Sequence, residues 1–148
     1  MILKTTSEVI SLSKELETKS ANFYKTLARA FPEQAEMFQS LARENRKNII
    51  QVERAYYGVI TDAIEGCFAF SLEADDYQFS STLPQKATFK ETLAQVLKME
   101  EMIKQFYTAS AEQSKALMAD VPRTFALIAR KRNERIALVQ THLNSGSV

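Results

Sequence analysis

Two glutamates carry the clearest chemical signal in the chain, each followed seven residues later by a tyrosine: residues 17–24 read E-T-K-S-A-N-F-Y and residues 100–107 read E-E-M-I-K-Q-F-Y. Seven residues make about two helical turns, so Glu17 and Tyr24 share one helix face, as do Glu100 and Tyr107. At about 100° per residue, Glu17 and Glu100 border the apolar arcs of their helices, whereas Glu15 and Glu101 point outward. Two inward carboxylates on separate helices can hold a metal cation, weakly and through water where further ligands are missing, or pair with inward cations.

Inward cations are present. Each Phe-Tyr segment is followed by a second segment of matching pattern, Phe38-x-x-Leu41-Ala42 in the first half and Phe125-x-x-Ile128-Ala129 in the second. On the helical wheel Asn45 lies near the centre of the stripe of Phe38, Leu41, Ile49, Val52 and Tyr56, while Glu44 and Lys47 rotate away from it. Arg132 falls between Phe125, Ile136 and Val139, and Glu134 points nearly opposite.

Long helices must position these groups. The 148 residues hold only 3 Gly and 3 Pro, and Ala, Leu, Glu, Lys and Gln are abundant, which favours helices over strands and one core over two. Thr5-Thr6-Ser7-Glu8 is a capping-box pattern ahead of Val9, Leu12, Leu16, Phe23 and Leu27, predicting a first helix from about residue 6 to about residue 30. Pro32 suits the first position of a second helix, whose stripe runs through Ile60 and Ala63 to a stop at Gly66. Thr88-Phe89-Lys90-Glu91 opens a third helix, extending to about Met118. Asp120 supplies an N-cap and Pro122 an early proline for a fourth, after which residues 144–148 read as a frayed tail.

Between the second and third helices, over about residues 66–87, the helical period fails. Phe68, Phe70, Leu72, Tyr77, Phe79 and Leu83 make this crossover too apolar for a free linker, so it should lie against the helices, as a short helix or small hairpin or without either. Two antiparallel hairpins joined by one long crossover form a single-domain, all-α four-helix bundle of the ferritin-like connection type. The recurrence of the same helix pair predicts a pseudo-twofold arrangement.

The paired segments Glu17 to Tyr24 and Glu100 to Tyr107, each followed by its Ala-containing apolar segment, resemble the rubrerythrin branch of the ferritin-like superfamily over nearly the whole chain. The resemblance implies a di-iron oxidoreductase ancestry, in which each half supplies a Glu from its first helix and a Glu-x-x-His from its second. Glu17 and Glu100 match the first-helix ligands. The second-helix register, laid on Leu41-Ala42 and Ile128-Ala129, places Asn45 and Asn48 in one half and Arg132 and Arg135 in the other. Neither half keeps a Glu-x-x-His, and the cysteine pairs of a rubredoxin domain are missing. Tyr24 and Tyr107 fall beside the old ligand positions, as core aromatics whose hydroxyls bond Glu or Asn.

The expected replacement for the metals is an ionic network: two inward Glu and two inward Arg sum to zero, and two Asn can bond either sign. The leading reading is a non-catalytic binding or structural protein with no cofactor and no catalytic residue. The alternative is an iron- or manganese-dependent oxidoreductase of oxygen or peroxide, using Glu17 and Glu100 with a non-standard ligand set. A third is a scaffold recognised through exposed crossover aromatics. The expected partners are a second copy of the chain, as the family implies, and a small carboxylate or phosphate held by Arg132 and Arg135 with Asn45 and Asn48 orienting it.

The formal net charge of +1 gives no field for nucleic acid or anionic membranes. The run from Arg130 to Arg135 scatters around its helix rather than forming a patch. A single cysteine, Cys67, and an N-terminus without a basic-then-apolar leader point to a reducing cytoplasm, with Cys67 a small buried hydrophobe. His142, the only histidine, lies on the stripe with Val139 and Leu143, where it serves packing or an interface.

Overall fold

A computed structural model describes residues 1–57, 69–117 and 120–145. Its described residues form four long helices and one minor two-stranded sheet. Helix α1 spans Thr6–Ala30, α2 Ala35–Tyr57, α3 Phe89–Gln113 and α4 Asp120–Asn144.

Both capping boxes form. The Thr5 hydroxyl accepts from the Glu8 amide at 3.1 Å while Glu8 accepts from the Thr5 amide at 3.1 Å. Thr88 and Glu91 exchange the same pair of bonds at 3.1 and 3.0 Å. Each box satisfies amides that the first helical turn leaves without carbonyl partners.

Some boundaries differ from expectation. Pro32 opens a 3-10 turn over Pro32–Gln34, and α2 begins only at Ala35. The third helix closes at Gln113, where the Ser114 hydroxyl and amide turn back onto the Ser110 carbonyl at 2.7 and 3.1 Å. Asp120 is the first residue of α4 rather than a residue before it, and Asn144 is still helical. The expectations for Ile60, Ala63, Gly66, Cys67, Phe68, Met118 and the last three residues lie outside the described residues.

Cross-helix contacts give the directions. Between α1 and α2, Tyr24 stacks on Phe38 while Asn48 bonds Glu17, so the two run antiparallel. Between α3 and α4, Phe125 meets Tyr107 and Arg132 meets Glu100, again antiparallel. Ser13 meets Tyr107 and Tyr24 meets Glu100, which orients α3 against α1, and Lys131 to Gln51 with Arg135 to Glu44 does the same for α4 and α2. Short-range ridge packing of this kind needs a continuous apolar stripe on each helix. The stripes supply one core, including Phe23, Leu27, Phe38, Val52, Leu93, Val96, Ile103, Phe106, Phe125 and Ile128.

The crossover lies on this core. Strand β1 (Ile2–Leu3) pairs antiparallel with β2 (Leu72–Glu73), in the register Ile2 to Glu73 and Leu3 to Leu72. A 3-10 turn over Ala74–Tyr77 follows, and Tyr77 packs edge-on against Phe106, ring centroids 5.3 Å apart. Gln113 holds the Ser71 backbone through its amide at 2.7 Å and its carbonyl at 3.2 Å. The Lys19 ammonium donates to the Phe79 carbonyl and sits 4.5 Å above the Phe79 ring. Phe70 and Tyr77 are buried and Phe79 is half-covered by the core, so the described crossover aromatics form no exposed docking patch. Phe68 lies outside the described residues, and the described aromatics gain by leaving water for the core.

Candidate functional site

Each helix delivers polar groups to one point in the core. Glu17 comes from α1, Asn45 and Asn48 from α2, Glu100 from α3, and Arg132 and Arg135 from α4; Arg135 is 3 % exposed and the other five are fully buried. Helical spacing explains the convergence, because 45/48 and 132/135 are i, i+3 pairs lying on one face of α2 and of α4. The structure thus brings together every residue that the sequence assigned to the site.

Arg132 occupies the centre. One Nη donates to both Glu100 oxygens, at 2.7 and 2.8 Å, and the other donates to both Glu17 oxygens. All four carboxylate oxygens of the two glutamates therefore accept from a single guanidinium. Arg135 adds a bond from Nη1 to Glu100 at 3.2 Å, donates from Nη2 to the Leu41 carbonyl at 3.2 Å, and lies 5.8 Å from the Tyr24 ring centroid.

The tyrosines reach across the halves. The Tyr24 hydroxyl donates to Glu100 at 2.5 Å, and the Tyr107 hydroxyl lies 2.8 Å from Ser13 Oγ. Burial, then the Glu100 charge, pushes the Tyr24 hydroxyl well above its ordinary value; burial, then the Glu17 charge, does the same to Tyr107. Both therefore stay protonated. Burial alone would raise Glu100, but Arg132 and then Arg135 outweigh it and hold the carboxyl below its usual value. Burial works against the Arg132 charge, yet Glu100 and Glu17 hold its guanidinium well above the ordinary value. Glu100 and Arg132 thus hold each other in their charged forms.

Three participants escaped the sequence. Glu44 rotates off the α2 stripe, yet its long side chain returns to accept from Arg135 Nε at 3.1 Å and Nη2 at 2.9 Å. Its side chain is 39 % exposed, so Glu44 joins the buried cluster to the surface. Ser13 and Ser20 are also buried against the cluster, Ser20 Oγ 3.5 Å from Arg132. A serine at an inward helical position carries no sequence signal that distinguishes it from a small core residue. Lys47 and Glu134 are exposed, as the wheel requires, and His142 is half-buried near the end of α4.

This donor set does not fit a pair of iron ions. The carboxylate oxygens a metal would need are engaged by guanidinium N–H, two of the six converging residues are cationic, and no imidazole reaches the cluster. Among the described residues no group of three or more His, Cys, Asp or Glu is placed to hold a metal ion. A small anion fares no better there, since the Nη atoms of both arginines already face Glu17, Glu100, Glu44 or a carbonyl. No described helix is long and apolar enough to cross a membrane. Compared with family models, curated proteins and solved structures, the chain matches none.

Proposed function

We propose that this chain is a ferritin-like bundle related to the rubrerythrins, in which a Glu/Arg/Asn ionic cluster has replaced a di-iron centre, and that it serves as a non-catalytic binding or structural protein. One observation carries the reading: Arg132 donates to every oxygen of Glu17 and Glu100. A fixed, covalently attached cation thereby does the electrostatic work that bound metal would do between two buried carboxylates. The antiparallel neighbours and the single long crossover support the ferritin-like connection. A homodimer in a reducing cytoplasm completes the proposal.

Elemental analysis after anaerobic reconstitution with ferrous iron tests it. The wild type should hold no stoichiometric iron, whereas a variant carrying Arg132→Glu and Arg135→His should gain it, because a Glu-x-x-His is then restored beside Glu17 and Glu100. Near-stoichiometric iron in the wild type would overturn the proposal and favour an oxidoreductase with a non-standard ligand set.

A further inference from the structure

Apart from the core cluster, α2 and α4 bring a second set of cations together at the surface. Gln51 and Arg54 are i, i+3 neighbours on one face of α2, and Asp120, Arg123 and Thr124 share one face of the first turn of α4. The two faces line a single recess of about 270 Å³. Lys131 Nζ joins its edge, donating to Gln51 Oε1 at 3.3 Å.

Charge is gathered in this recess without being neutralised. Arg54 and Arg123 both line it, yet among the described residues neither has a hydrogen-bond or ion-pair partner. Asp120 lines the same recess and pairs with neither. By contrast, Arg43 meets Glu36 at 3.1 Å, and Arg132 and Arg135 meet carboxylates in the core. Two guanidiniums on one recess repel each other, and an anion between them replaces that repulsion with attraction to both.

The lining selects the anion. A carboxylate presents two oxygens and one charge, which a single guanidinium fork satisfies; a phosphate presents at least three oxygens and nearly two charges, enough for forks from both walls. Lys131, Arg54 and Arg123 stand against the one Asp120, a surplus of two charges that a phosphate dianion balances. The Thr124 hydroxyl and the Gln51 NH₂, whose Oε1 is taken by Lys131, supply neutral donors. Pockets for drug-sized ligands run from about 300 to 1,000 Å³, so a recess below that range takes a small molecule. We infer that Arg54 and Arg123 form a site for a phosphate dianion, free or carried on a small phosphomonoester whose short stem lies against Ala55 and Leu127. The site is separate from Glu17, Glu100 and their arginines, and stands whether or not the core once held metal.

NMR titration of the labelled full chain with inorganic phosphate tests it, at neutral pH with chloride holding ionic strength constant. Saturable shifts at Arg54, Arg123 and the first turn of α4 are expected. Arg54→Gln and Arg123→Gln should each weaken binding about tenfold, and the double variant should abolish it. Both side chains are exposed, so the variants should keep the wild-type far-UV circular dichroism, and Arg29→Gln, exposed at the end of α1, should bind as the wild type does. Ethyl phosphate binding more tightly than inorganic phosphate would assign the site to a phosphomonoester, and equal binding would assign it to the free ion. Shifts that do not saturate, equal affinity for acetate, or undiminished binding in the double variant would each overturn the inference.

Discussion

Glu100 is the residue at which burial and pairing oppose one another most directly. It accepts from Tyr24, Arg132 and Arg135, and their combined effect leaves its carboxyl below the ordinary value of 4.5 despite full burial. A carboxyl depressed in the folded state contributes stability above its unfolded value, and that contribution is lost as pH falls through the folded value. Chemical denaturation at a series of pH values should therefore show wild-type stability falling below about pH 4.5, with a shallower acid limb in Glu100→Gln. An unchanged acid slope in that variant would separate Glu100 from the pH dependence. Glu17, Glu100, Asn45 and Arg132 were legible in the sequence because the wheel fixes where a Cβ points, and Asn48 and Arg135 were named by the register of the resemblance, three residues further on. Glu44 was not, because a long side chain can carry its carboxylate back around the helix to a buried cation.

The helices owe their starts to local chemistry and their faces to packing. Thr88 and Glu91 open α3 immediately after the crossover, where the chain must leave a turn closed by the Ala87 amide on the Pro84 carbonyl at 3.2 Å. Thr88→Ala removes the side-chain acceptor for the Glu91 amide and should lower unfolding stability by about 0.5–2 kcal/mol in urea titrations. No measurable loss would show that other contacts hold that helix end. The bounds of α1 and the start of α3 were readable because capping boxes are short, local patterns. The β1–β2 pair was not, since Ile2–Leu3 and Leu72–Glu73 lie far apart in sequence and each strand is too short to carry a period. The end of α3 was also misjudged: serine hydroxyls turning back onto carbonyls stop the helix before its apolar pattern runs out.

At the scale of the molecule, four helices meet at one cluster of paired charges. Two buried carboxylates and two buried guanidiniums are paired within it, and Glu44 extends it to the rim. A cluster of this kind is not a large net source of stability, because desolvation offsets most of the attraction. What it imposes is dependence on Arg132: with that cation removed, Glu17 is left buried and unpaired. The all-helical architecture could be read from hairpin lengths and the crossover, but where Arg132 places its two terminal nitrogens is something no spacing rule reveals.

The central claim is that Arg132 is the cation that Glu17 and Glu100 require, and a three-variant comparison of urea unfolding tests it most directly. Arg132→Met alone should lose about 3–5 kcal/mol, because Glu17 is left in the core without a cation and Glu100 keeps only Arg135. Adding Glu17→Gln and Glu100→Gln to that variant removes the stranded charges and should recover most of the loss. A triple variant no more stable than Arg132→Met, or an Arg132→Met variant as stable as the wild type, would contradict the claim.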